Sequence, residues 1–447
     1  MKKIANIEEL FSIKGTLKGA SLYSFGAILV QASGLFLIPV FTKYLTPSDF
    51  GIVGYLQVFQ QAALVIFALG FPGAQIRYLH ENKIDKKEIG RFAFSINLLP
   101  LVIMVILLLP LTLFTANIDW VLGKQAIPVW PFLIITLWSA VFTVLADNAI
   151  SFYRAQQRYG IATVLQLARF VFITGFSLYL IVNLQMGALG RVMGMLCGLV
   201  CFLIISYGFY ASNFNFSFSK KAILYSVSYG APIVVSQLST TVHNLVDRLI
   251  LGQMVSPDTL GIYTLSFMIG GTLQVLIIGF NQAYQPNYFT LMASNSKNKD
   301  EKIIRIFKIW LYLLTTFTSL GILIVPYFLR IFVSPEYYSA EVVIPWMFLS
   351  VFLGSFYYFF SAPIFYFKKT KWLPGVTFIS AITNIALNLL LIPKYGILGA
   401  AVATGISHLV MSLMAFKLGN SIYHIDWPKR EIGASLIIVS IILMIAQ

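Results

Sequence analysis

The chain predicts an all-α polytopic membrane protein, with two homologous six-helix bundles arranged around a central cavity. About 12 transmembrane helices are expected, followed by a short C-terminal apolar segment, and three observations lead there. The 447 residues are 58% hydrophobic and 11% charged, with a mean hydropathy of +0.83, whereas soluble globular domains carry about 25% charged residues. Apolar runs of the length a bilayer core requires, about 20 residues, recur from end to end. Short motifs also return at a fixed offset of 209 or 210 positions.

The apolar runs lie near 19–42, 50–76, 92–114, 128–153, 161–182 and 187–211 in the first half. In the second half they lie near 222–250, 260–289, 304–329, 342–367, 373–392 and 396–416. They divide the chain into an N-terminal segment (1–18), an N-terminal bundle (19–215), a C-terminal bundle (216–420) and a tail (421–447). The opening MKKIANIEELFSIKGTLKG contains acids, is too long for the n-region of a signal peptide, and precedes no A-x-A site. The first span is therefore expected to remain in the mature protein.

A net charge of +15 raises the question of nucleic acid, and the location of the cations answers it. With the N-terminus inside, 24 of the 31 Lys and Arg fall in cytoplasmic segments and 6 on the opposite face, with Arg169 within a span. The basicity is that of the positive-inside rule, and no nucleic-acid partner is expected.

Repeats organise the rest. LTPSDFGIVG (Leu45 to Gly54) returns as VSPDTLGIYT (Val255 to Thr264), GALG (Gly187 to Gly190) as GILG (Gly396 to Gly399), and Gly70-Phe71 as Gly279-Phe280. A shared register implies two copies of six helices, related by an axis along the membrane normal because six is even. In the first pair, Thr46 and Ser256 are helix N-caps, Pro47 and Pro257 suit the first helical position, and Asp49 lies at N3 beside the positive helix end. Gly51 and Gly261, one turn in, would let each helix approach a neighbour closely.

Catalytic chemistry finds little support. There is no G-x-x-x-x-G-K-[ST], H-E-x-x-H or G-x-S-x-G, and only four His. The longest outer loop, near 115–127, is too short for a catalytic domain. Cys197 and Cys201, at i and i+4 in one span, have no third ligand and read as apolar packers. No cofactor is implied.

Polarity within the spans is more informative. Gln237, Thr241, Asn244 and Arg248 share one face of the seventh helix, and Thr143, Asp147, Ser151, Arg154 and Arg158 share one of the fourth. The second helix adds Gln57, Gln60 and Gln61, and the eighth Gln274, Asn281 and Gln282. Such amides serve either a solvated pathway or hydrogen bonding between helices. Because a charge at mid-bilayer costs about 2.5–3.5 kcal/mol on insertion scales, Asp147 and Arg169 are expected to face a wet interior. Asp147 reads as the sole deeply placed carboxylate, and His243 and His408 as packing residues.

The stretches NIALNLLLIPKYGILGAAVATGIS (Asn384 to Ser407), PVFTKYLTPSDFGIV (Pro39 to Val53), VDRLILGQMVSPDTLGIYTLS (Val246 to Ser266) and FYRAQQRY (Phe152 to Tyr159) carry a resemblance. Over about residues 15 to 420 the chain resembles the polysaccharide-biosynthesis, O-antigen-flippase (Wzx-type) branch of the multidrug/oligosaccharidyl-lipid/polysaccharide exporter superfamily. The resemblance implies alternating access and movement of an undecaprenyl-pyrophosphate-linked oligosaccharide from the inner to the outer leaflet of a bacterial inner membrane. It also implies polysaccharide polymerase and glycosyltransferase neighbours. The chain departs from some relatives after the twelfth span, where KREIGASLIIVSIILMIAQ supplies one apolar run and no return helix.

On this reading Arg169 and Arg248, helped by Arg77 and Arg154 at the inner mouth, attract the pyrophosphate. Gln57, Gln60, Gln237, Asn244 and Gln274 contact sugars, and Asp147 is the candidate for H⁺ or Na⁺ coupling. Two rivals are a multidrug extrusion antiporter of the same superfamily, for which a cavity acid would bind organic cations, and a membrane-embedded glycan polymerase or ligase, which would need a larger outer loop.

Overall fold

A computed structural model describes residues 13–81, 85–113, 127–294 and 298–446. The expected outer loop near 115–127 and most of the N-terminal segment lie outside the described residues.

The described chain is helical, and its helices follow the apolar runs. The first half contains α1 (Ile13–Tyr44), α2 (Pro47–Leu79), α3 (Lys86–Leu113), α4 (Val129–Ala155), α5 (Tyr159–Asn183) and α6 (Gly187–Asn213). The second half contains α7 (Lys220–Met254), α8 (Pro257–Ala293), α9 (Lys299–Phe332) and α10 (Ile344–Tyr366), and then the helical run Leu373–Ile422. That run is not one rod. At Gly396 the backbone turns (φ 55°, ψ −134°) and the chain reverses, giving α11 (373–395) and α12 (397–422). Lys429–Ile445 forms α13. Among the described residues, nine helices are long and apolar enough to cross a membrane, and the run through Gly396 counts as one of them. Most helices exceed the apolar runs by a few residues because polar turns such as Lys299 to Lys302 continue the helix beyond the hydrocarbon length.

The duplicated glycine motifs form the same turn twice. Gly187 and Gly396 both have positive φ, 54° and 55°, a region an L side chain adopts at a cost. Each reverses the chain between the fifth and sixth helices of its half. After the turn, a Cβ on Gly190 would lie 3.2 Å from the Leu180 carbonyl, and one on Gly399 2.5 Å from that of Leu391. The third pair does not share a conformation: Gly70 marks a kink in α2 at φ 69°, whereas Gly279 is inside a regular helix, and α8 breaks earlier, at Gly271.

The contacts divide the chain into two compact units, Met1–Ser33 with Tyr55–Leu238, and Gly34–Gly54 with Ser239–Gln447. In the first, α4 is the hub. Ala140, Ala146 and Ala149 are fully buried, and their small size lets α2, α3 and α6 come close. In the second, α10 takes that place with Phe352, Phe356, Phe359 and Phe360. There Phe307 of α9 and Trp427, just before α13, pack edge-on at 4.9 Å. The tail is thus a docked helix: Tyr423 donates to Asp300 at 2.7 Å and Lys308 pairs with Glu431, so chain order along the tail parallels that along α9. Desolvation and the hydrogen bond to Asp300 push the Tyr423 phenol up to about 12.

Candidate transport site

The twinned helix starts meet each other. Thr46 caps α2: its hydroxyl accepts from the Asp49 amide at 3.2 Å, while the Asp49 carboxylate accepts from the Thr46 amide at 2.9 Å, a reciprocal capping box. Ser256 caps α8 by accepting from the Thr259 amide at 3.3 Å. Within the second unit these two starts cross at their glycines. A Cβ on Gly51 would stand 2.0 Å from the Pro257 carbonyl oxygen, and one on Gly261 1.7 Å from that of Pro47. Each copy of the motif is the docking surface of the other, which explains why it is written twice. The segment after α9 fastens the crossing: Tyr337 donates to the Leu45 carbonyl at 2.8 Å and packs edge-on against Phe50 at 5.4 Å, while Ser334 donates to the Thr42 carbonyl at 2.7 Å. Burial pushes the Tyr337 phenol far up.

In the first unit, α4 and α5 bring Asp147 and Arg169 together. Arg169 Nη1 donates to Asp147 Oδ1 at 2.5 Å, with the side chains 23% and 36% exposed respectively. Charge is therefore held within two spans by a pair that is only partly buried. One turn along α4, Ser151 donates to Gln75 at 2.7 Å, and Asn97, Asn148, Tyr207 and Tyr210 form a buried hydrogen-bonded cluster. Gln75 and Asn148 keep one polar atom each, Nε2 and Oδ1, without a hydrogen-bond partner.

The other expected site residues are distributed. Gln57 is exposed, and Gln60 is half-buried with Nε2 3.1 Å from Met195 Sδ. Arg77 is exposed, its guanidinium 5.3 Å from the Tyr229 ring, and Arg154 is half-buried near the end of α4. On α7, Gln237 and Asn244 are exposed. Gln274 donates to Tyr358 at 2.9 Å.

Arg248 departs from the expectation of a solvated stripe. It is 2% exposed, and its guanidinium stacks over Phe267 at 4.3 Å. Asp247 beside it, also 2% exposed, accepts from the Arg248 amide at 2.7 Å and from the Tyr263 hydroxyl. Asp147 is therefore not the sole carboxylate within the spans: Asp247 is there too and is the more buried of the two. Helical spacing puts Gln237, Asn244 and Arg248 on one face of α7, and at its last turn α8 covers that face through Tyr263 and Phe267.

Two further features were not legible as a set. His243 and His408 pack ring to ring at 5.1 Å, with His408 against the Ser350 carbonyl at 2.9 Å. Ser380, Asn384, Asn388, Thr404 and Ser407 interlock between α11 and α12. The i, i+4 asparagines in TNIALNLLL are the sequence signal for that ladder. Among the described residues no group of three or more His, Cys, Asp or Glu gathers, and both cysteines are free thiols.

The model of the family described as polysaccharide biosynthesis protein matches residues 16–292, more than half of the chain. The chain belongs to that family. A second family model, MatE, matches residues 232–390 of the chain. It is 22% identical to "Probable low-salt glycan biosynthesis flippase Agl15" of Haloferax volcanii, across 93% of this chain and 86% of that relative. It is 23% identical to an "Uncharacterized membrane protein" of Haemophilus influenzae, across 79% of this chain and 85% of that one. Among solved structures it resembles "Lipid II flippase MurJ, inward closed conformation" with a TM-score of 0.69 at 16% identity, covering 95% of this chain and 97% of that one. It also resembles an inward-facing "multidrug resistance MATE family transporter of the MOP superfamily" with a TM-score of 0.66 at 15% identity, covering 88% and 97%. The chain is thus a multi-pass membrane protein with the fold of the flippase and multidrug-exporter superfamily.

Proposed function

We propose that this protein flips a polyprenyl-pyrophosphate-linked oligosaccharide from the inner to the outer leaflet of a bacterial cytoplasmic membrane, with its N-terminus inside. The observation that carries the reading is the Asp147–Arg169 pair, a charge set within two spans and left partly exposed. A phosphorylated sugar head cannot cross hydrocarbon unaided, since burying an isolated charge costs tens of kcal/mol by Born estimate. A cargo phosphate that takes Arg169 from Asp147 replaces one charge-assisted bond with another. The exposed amides Gln57, Gln237 and Asn244 supply donors and acceptors for sugar hydroxyls, and the polyprenyl tail stays in lipid. An inside-negative potential favours outward movement of an anion by about 2.3 kcal/mol per charge per 100 mV.

The displaced Asp147 carboxylate is the group we propose to exchange H⁺ or Na⁺ during return. A polymerase and glycosyltransferases acting on the same glycan are the proposed functional neighbours. Arg248, covered by α8, is left out of the cargo set. A second reading, extrusion of organic cations, draws support from the MatE match and from Asp247, which removes the argument that the spans hold a single acid.

Leaflet-accessibility measurements in proteoliposomes discriminate them. Loss of flipping of a polyprenyl-pyrophosphate glycan in Arg169→Ala, together with unchanged cell sensitivity to cationic dyes, is expected. Dye efflux that depends on Asp147, with no glycan movement, would establish the second reading.

A further inference from the structure

The segment joining the two repeats is not an inert tether. Asn213 to Ser219 reads N-F-N-F-S-F-S, a strict alternation of aromatic and polar residues, and Lys220 and Lys221 follow it. Residues 214–219 are not helical, and the Ser217 amide donates to the Asn215 carbonyl at 2.6 Å, a tight turn centred on Phe216 that lets Phe214 and Phe216 part ways. They are clipped to α3: Ser95 Oγ accepts from the Ser219 amide at 2.9 Å, and Gly90 lies against Asn213 and Asn215 so closely that a Cβ there would be 2.6 Å from the Asn213 oxygen. Phe214 turns inward onto Tyr210, 4.7 Å between rings. Phe216, which meets Phe94 of α3 edge-on at 5.4 Å, and Phe218 still leave 75% and 55% of their surface exposed, and Lys220 and Lys221 are exposed beside them.

We infer that this linker is an interfacial membrane anchor, seating Phe216 and Phe218 in the headgroup and acyl boundary of the cation-rich face, with Lys220 and Lys221 on anionic lipid headgroups. Its depth agrees. The clip at Gly90 and Ser95 lies four to nine residues into α3 from Lys86, or about 6–14 Å at 1.5 Å per residue, a span that overlaps the roughly 5–10 Å over which an amphipathic segment sits in the interface. The charges agree as well, since Lys86 and Lys87 at the start of α3 are exposed near the same clip. Exposed aromatics beside lysines match a surface that is greasy below and anionic above.

Site-directed spin labelling of the full-length protein in vesicles tests this, because the two native cysteines can be replaced (Cys197→Ala, Cys201→Ala) and single labels placed by Asn215→Cys, Phe216→Cys, Ser217→Cys and Phe218→Cys. The labels at 216 and 218 should collide several-fold more with lipid-soluble oxygen than with a water-soluble nickel chelate, and those at 215 and 217 less so. Adding phosphatidylglycerol to phosphatidylcholine should deepen the first pair, and Lys220→Gln with Lys221→Gln should abolish that deepening. Equal chelate access at all four positions would overturn the inference. So would shielding of 216 and 218 from both reagents, which would mean that protein covers them.

Discussion

The two units treat membrane-embedded charge in opposite ways. In the first, Asp147 and Arg169 meet across α4 and α5 with about a quarter to a third of each side chain exposed. In the second, Asp247 and Arg248 are adjacent on α7 and closed over by Tyr263 and Phe267 of α8. Sequence makes these sets look alike, since each places an acid and an arginine within apolar spans. Exposure separates them: the first pair is left partly open, as the proposed exchange with cargo requires, whereas the second set is closed in by its neighbours and tied to the integrity of its fold.

That contrast predicts unequal costs, the greatest at Asp247. Removing one member of a buried charged set typically costs about 3–5 kcal/mol, so Asp247→Ala should sharply lower the thermal midpoint of purified protein followed by size-exclusion chromatography. A midpoint near wild type would show that the second set is not sealed. Next come the crossing glycines. Gly261→Ala and Gly51→Ala each force a methyl onto a backbone oxygen, an overpacking cost of about 1–3 kcal/mol, and the two losses should match if the repeats are equivalent there. Tyr337→Phe leaves the Leu45 carbonyl without its donor, and a smaller drop of about 1 kcal/mol is expected in the same assay. Smallest in stability is Arg169→Ala, under about 1 kcal/mol because the pair is partly exposed. Its flipping rate should nevertheless fall at least tenfold, while Gln57→Ala changes flipping by a few-fold at most.

Much of the architecture was written in composition and in glycine. Spans follow from hydropathy, and the two hairpins follow from GALG and GILG because a positive φ needs a residue without a Cβ. The capped helix starts were readable from Thr46, Pro47 and Asp49, since capping is local chemistry. Their meeting at Gly51 and Gly261 was not, because it depends on packing between segments 210 positions apart. The same limit applies to the charges. Asp147 and Arg169 stood out individually, but their pairing depends on the antiparallel register of α4 and α5. Arg248 looked solvated because helical periodicity places it with Gln237 and Asn244, and only the path of α8 reveals that it is covered. Asp247 escaped notice for the same reason: one residue off the polar face, it pointed toward a neighbour that the sequence did not identify.

The most direct test of the accessible-charge account is flipping of a polyprenyl-pyrophosphate-linked glycan by reconstituted Arg169→Ala and Arg169→Lys, read as the fraction of headgroups reachable from outside the vesicle. The account predicts near-complete loss in the alanine variant and partial recovery in the lysine variant, with both folded as well as wild type. Wild-type flipping by folded Arg169→Ala would contradict it.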